Sequence, residues 1–152
     1  MPFRFPLEAV LHYRKSLEHQ QELRLRAANQ QVARVRRLLE LAGERIRQVN
    51  AAQARELAAG TTFAEVRFAL AAEAFLEGQR QTLERELHRL EALRTQQQRV
   101  YQRARRERET FENLRDREKR EYERNQARRE QRALDDLFLL RQYGLREDRQ
   151  RC

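Results

Sequence analysis

Three histidines, one cysteine and a pair of adjacent aspartates are the residues whose types and spacing could carry chemistry in this chain. His12 and His19 stand seven apart on one helical face, where a metal would need a third ligand from elsewhere. His88 stands alone, and solvated flank positions suit all three. Asp135 and Asp136 offer two carboxylates, but consecutive residues of a helix point about 100° apart. Neither a base nor a pocket-forming segment surrounds them, so a contact with a partner or plain solvation is expected. Cys152 is the last residue, so no intrachain disulfide or cysteine metal site can form, as expected in a reducing compartment. No GxGxxG, P-loop, HExxH, CxxC or GxSxG occurs, and four scattered glycines cannot build a phosphate cradle. The sequence therefore reads as a protein that is not an enzyme and holds no metal or cofactor.

The elements that position these residues follow from composition. Of 152 residues 38% are charged, where about a quarter is usual for a compact domain. Too little apolar surface remains for a thick core, and two prolines and four glycines leave few turns. A thin, all-helical object is expected. Thirty-one arginines and two lysines against 24 acids give a net charge of +9. Such a balance favours acidic partners, whether nucleic acid, an anionic membrane surface or an acidic protein face. The opening Met1-Pro2-Phe3-Arg4-Phe5-Pro6-Leu7-Glu8 does not read as a secretion signal. No apolar run approaches the roughly 20 residues that span a bilayer. The expected location is cytoplasmic, with any membrane association peripheral.

Leu25, Ala28, Val32, Val35, Leu39, Ala42, Ile46 and Val49 recur in alternating steps of three and four, the seam of a coiled coil. Val10, Tyr13 and Leu17 continue it upstream, with a stutter where Leu17, Gln21 and Leu25 step by four twice. Pro6 suits a helix start and not its interior. The one internal break with turn chemistry is Ala59-Gly60-Thr61-Thr62, and Thr62 with Glu65 spells a capping box. The reading is a single domain over 1–152: helix one about 7–58, a turn about 59–62, helix two about 63–143 and a polar tail 144–152. Residues 63–72 are compatible with either the start of helix two or a separate short helix.

Leu76, Leu83, Leu87, Leu90, Gln97, Ala104, Phe111 and Leu114 carry the second seam. Folding the chain about Gly60 and Thr61 sets Val10 against Phe111, Leu17 against Ala104, Leu25 against Gln97, Val32 against Leu90, Leu39 against Leu83 and Ile46 against Leu76. Two seams in one register predict an antiparallel coiled-coil hairpin. Helix one begins near Leu7, so helix two is expected to lose its partner beyond about Leu114 and to overhang by roughly 40 Å.

That overhang is basic and then apolar. Residues 99–132, the open end of the hairpin plus its overhang, hold 13 basic and 8 acidic groups. Ala133 to Leu140 then displays Leu134, Leu137, Phe138 and Leu140 with nothing of the chain's own to bury them, so another molecule is expected to cover them. The basic stretch also admits a nucleic-acid reading, but its aromatics are only Tyr101, Phe111 and Tyr122. Arg103/Glu107, Arg105/Glu109, Arg108/Glu112 and Arg117/Glu121, each four apart, favour a solvated helix. A self-assembling coiled coil is the third reading.

The two ends of the chain resemble the FliJ family, a small cytoplasmic component of the bacterial flagellar protein-export apparatus. Phe3-Arg4-Phe5-x-Leu7-Glu8-x-Val10-Leu11-x-x-Arg14 resembles that family's opening. Phe111-Glu112-x-Leu114 with Tyr122 resembles its second-helix segment, and Gln131-Arg132-x-Leu134-Asp135-Asp136 resembles its Gln-Lys-x-Leu-Asp-Glu end. Arg132 and Asp136 stand where the family commonly has Lys and Glu, swaps that keep the charge. The resemblance implies a non-catalytic stalk, similar to the central stalk of rotary ATPases, of the flagellar type III export apparatus. It would link the hexameric export ATPase at the inner membrane to the export-gate membrane protein, and bind export chaperones. Carried onto this sequence, the resemblance places Phe3, Phe5, Leu134, Asp135, Leu137, Phe138 and Leu140 at the ATPase ring. It makes Phe68, Phe75 and Leu76 candidates for the gate contact.

Overall fold

Residues 2–150 are described by the computed structural model, with the side chains of residues 145 and 147–150 outside it. Cys152, and with it the reading of the lone cysteine, lies outside the described residues. Two helices account for almost all of the rest: α1, Glu8–Ala59, and α2, Phe63–Gln150. No strand occurs among the described residues. The fold is an all-α, antiparallel helical hairpin, and it divides into two compact units. Unit 1 is residues 1–16 with 105–152, and unit 2 is residues 17–104.

Unit 2 contains the turn. Gly60 closes α1 with φ of 91°, a left-handed conformation that residues with a Cβ rarely adopt. Its N–H donates to the Leu57 carbonyl, and the Thr61 hydroxyl donates to the Glu56 carbonyl. Two of the orphan acceptors at the helix end are thereby satisfied. Thr62 and Glu65 then form the reciprocal capping box: the Thr62 N–H donates to Glu65 Oε2 at 2.9 Å, and the Glu65 N–H to Thr62 Oγ1 at 3.4 Å. From Phe63 onward α2 is unbroken, so 63–72 is the first part of α2 and not a separate helix. Helix formers on both sides carry it through Gly78, whose cost of about 1 kcal/mol is shared over a helix of 88 residues.

The buried centre of unit 2 is Val32, Val35 and Leu90, with Leu83 and Leu87 packed against them. Three cross-links hold the register: Gln53 Nε2 donates to the Ala69 carbonyl, Arg36 pairs with Glu91 at 2.7 Å, and the Gln97 amide donates to Gln21 Oε1 at 2.7 Å. Gln97 thus pairs one turn away from Leu25, the partner expected for it. Partner numbers total between 118 and 127, scattering around the value near 122 that a fold about Gly60 and Thr61 sets.

Unit 1 corrects the upstream seam. Leu11, which the periodicity passed over, is 0% exposed, whereas Tyr13 is 60% exposed. Val10 and Leu17 are half-buried, as the expected seam has them, and beside them Leu7, Leu11 and Arg14 in unit 1, then Glu18, Gln21 and Leu25 in unit 2, form a further run of half-buried or buried positions. Those positions keep the three-four alternation without a stutter. Apolarity alone took Tyr13 and passed over Leu11 and Arg14, because a polar residue occupies a seam position there and finds partners. Arg14 bonds Glu107 and lies 5.9 Å over the Phe111 ring, where Val10 was expected, and Gln21 takes the Gln97 amide.

The partner of α2 also reaches further than Leu114. Ahead of α1 the chain turns through Pro6, where the Glu8 N–H donates to the Phe5 carbonyl, and residues 3–5 lie along α2. Phe5 is buried, and Phe3 packs on Tyr122 with ring centroids 5.7 Å apart. Cover therefore extends about two turns beyond the helix start, because an extended segment advances roughly twice as far per residue as a helix. At its far end α2 continues to Gln150, where a polar tail from 144 was expected. A single Gly144 without a following proline does not stop a helix.

Candidate functional site

Two surfaces fit a role in contact with other molecules, one in each unit. In unit 1 the paired part combines the buried Phe5 and Leu11 with ion pairs between and along the helices. Glu112 faces Lys15 at 3.9 Å and also meets Arg108 and Arg115. Arg105 pairs with Glu109 at 2.9 Å, so two of the expected four-apart pairs close. Arg117 and Glu121 form no ion pair among the described residues, and Arg103 and Glu107 are engaged.

After the Gln126 to Tyr122 hydrogen bond, the picture changes. Every residue from 127 to 144 is exposed. Leu134, Leu137, Phe138 and Leu140 are exposed as expected of residues awaiting a cover, and Leu139 and Tyr143 join them. Asp135 accepts a hydrogen bond from Gln131 at 2.9 Å. Helical geometry distributes these apolar residues around the whole circumference: Leu134, Leu137 and Phe138 on one side, Leu139 and Tyr143 nearly opposite, Leu140 between. A helix apolar all round suits enclosure better than one flat contact. The sequence reading took Leu134, Leu137, Phe138 and Leu140 and left out Leu139, which lies in the same run of four apolar residues, and Tyr143, three residues beyond it.

Phe3 and Phe5 stand apart from this group. Phe5 is buried against its own chain and Phe3 is half-covered by Tyr122. Both rings serve to fasten residues 3–5 onto α2, and the described arrangement does not bring them together with Leu134 to Leu140. The reason is the extended approach through Pro6, which turns both rings inward.

Unit 2 exposes an apolar tip. Phe63 and Phe68 are each 78% exposed, and Leu57, Leu70 and Phe75 are exposed beside them in sequence. Leu76, expected with Phe68 and Phe75, is half-buried on the seam. Phe75 and Leu76 do line one groove of about 720 Å³ with Leu38, Leu41 and Ala42. Leu38 and Leu41 flank the seam residue Leu39, and a reading confined to the seam leaves them out. Electrostatics in this unit is local. The hydrogen bond from Arg36 holds the Glu91 carboxylate below its ordinary range, and the Thr62 N–H does the same for Glu65.

The histidines face carboxylates on their own helix, His12 toward Glu8 and His19 toward Glu22, each at 3.8 Å. No group of three metal-ligating side chains occurs among the described residues. No helix among them is long and apolar enough to cross a membrane.

A search among curated proteins and among solved structures returns no match. The family model described as the flagellar FliJ protein matches residues 3–147. That match spans both units and includes the paired N-terminal segment, the tip and the exposed end of α2, so the chain belongs to the FliJ family of flagellar proteins.

Proposed function

We propose that this protein is a non-catalytic stalk and adaptor of the flagellar export apparatus. Its exposed α2 end engages the hexameric export ATPase, and the tip of unit 2 engages the export gate. The observation that carries the reading is the stretch 127–144, a helix with no cover from its own chain and with apolar side chains on every side of its last turns. Such a helix is stable in water only at the cost of exposed apolar area, and a collar of protein relieves that cost. Leu134, Leu137, Phe138 and Leu140 make the ring contact in this reading, with Asp135 at its rim. Phe3 and Phe5 support it indirectly by fastening the N-terminal segment to α2. Phe68, Phe75 and Leu76 are the gate-contact candidates, joined by Leu38 and Leu41 across their groove. Export chaperones are further partners, and the protein works on the cytoplasmic face of the inner membrane.

The test is stimulation of the cognate export ATPase by the purified protein. Replacing Leu137→Asp together with Phe138→Asp places two charges in the apolar collar and is expected to abolish stimulation, while helix content by circular dichroism stays unchanged. Stimulation equal to that of the unaltered protein sinks the proposal.

A further inference from the structure

From beside the N-terminal segment to the apolar end of unit 1, α2 carries a ridge of arginines on an exposed face. Arg117, Arg120, Arg124, Arg128 and Arg132 follow one another in steps of three or four, so they share a slowly winding face over about 22 Å. All five are exposed, and none closes an ion pair among the described residues. Upstream, by contrast, Arg105, Arg108 and Arg115 are all engaged with acids of their own helix. Glu121 is the one acid set among the ridge arginines on that face, and Asp135 closes its far end. Five like charges at this spacing repel one another along the helix, a cost that an acidic partner removes.

We infer that this ridge is a docking track for an acidic protein surface. It rests on the reading that the exposed end of α2 is a docking element, and adds the charge of what receives that end and the helix leading to it. Three chemistries could answer a row of guanidinium groups: nucleic-acid phosphates, an anionic lipid surface or protein carboxylates. The apolar segment one turn further along chooses among them. Nucleic acid has no cavity for Leu134, Leu137, Phe138 and Leu140, and the ridge presents no aromatic ring for base stacking. A membrane surface covers one side of a helix, whereas these side chains project from all sides. A protein surface with carboxylates leading to an apolar recess satisfies both stretches of one helix. Arg matches such carboxylates in bidentate geometry.

The experiment measures anisotropy of a labelled helical peptide bearing a glutamate stripe of the same spacing, with duplex DNA and phosphatidylserine vesicles as the rival probes. Three full-length proteins are compared at about 25 and about 250 mM salt: the unaltered chain, the ridge variant R117Q/R120Q/R124Q/R128Q, and a control of equal charge change, R34Q/R37Q/R47Q/R55Q. All eight altered positions are exposed, and circular dichroism checks that each variant keeps its helix content. The expected result is peptide binding at low salt that weakens about tenfold or more in the ridge variant, less than about twofold in the control, and disappears at high salt. Equal losses in the two variants would reduce the ridge to net charge and overturn the inference. So would absence of peptide binding at low salt, or ridge-dependent binding of DNA or vesicles that exceeds the peptide's. Because no ATPase is present, these outcomes are independent of whether Leu137 and Phe138 govern stimulation.

Discussion

Leu11 and Tyr13 distinguish the observed seam from the one that apolar periodicity suggests. Leu11→Ala removes about three buried methylene equivalents from a site with 0% exposure, about 2.4 kcal/mol at ~0.8 kcal/mol each. The cavity contribution is small because a two-helix layer lets neighbouring side chains close in from both flanks. The expected loss is therefore about 2–3 kcal/mol, the lower part of the range for buried leucine. Tyr13→Ala removes a ring that is 60% exposed and places a better helix former there, for a change within about 0.5 kcal/mol. Hydrogen exchange followed by mass spectrometry resolves the consequence in unit 1. Amides of residues 12–16 should exchange about 30- to 140-fold faster in Leu11→Ala if opening is local, and within about threefold of the unaltered protein in Tyr13→Ala. Urea unfolding followed by circular dichroism gives the same ordering. If Tyr13→Ala accelerates exchange as much as Leu11→Ala does, or if Leu11→Ala does nothing, the helix face assigned to the seam is wrong.

The turn and its cap supply two more expectations. Gly60→Ala forces a Cβ into φ of 91° with nothing within 4 Å of it, so backbone strain acts alone and should lower the melting temperature by about 2–4 °C for about 1 kcal/mol; an unchanged melt means that the turn relaxes into another geometry. Glu65 has its folded-state pKa depressed by the Thr62 N–H, so its contribution is present above the unfolded pKa and is lost as pH falls through the folded one. Exchange at the Glu65 and Val66 amides, corrected for intrinsic rate, should accelerate between about pH 5 and pH 3 in the unaltered protein. In Glu65→Ala the same amides should be fast and flat across that window, and a matching acid response in the variant would remove the cap as its cause.

How much of this was legible without coordinates depends on which residues carried the signal. Where apolar residues mark the seam continuously, from Leu25 to Val49, the pattern gave the face, the partner helix and the register, and Val32, Val35, Leu83, Leu87 and Leu90 came together as expected. The turn was equally plain, because only Gly tolerates the required φ and because Thr62 and Glu65 stand at the capping spacing. The pattern failed where polar side chains take seam positions. Arg14 is invisible to a hydrophobic count, and only its pairing with Glu107 and Phe111 reveals it as inward, whereas Gln21 already stood on the expected seam and takes the Gln97 amide there.

The candidate site divides in the same way. Leu134, Leu137, Phe138 and Leu140 announced themselves through a run of apolar residues following a long polar one, and the structure leaves them exposed. Phe3 and Phe5 needed tertiary information: an aromatic near a chain end is equally able to dock on its own helix or on another protein, and the turn at Pro6 decides for the first. Sequence by itself determined which elements form and in what register they pair, since periodicity and turn chemistry are local properties. Tertiary structure alone decided how far the N-terminal segment covers α2, and so where the uncovered helix begins, because that depends on the path of six residues that follow no repeat.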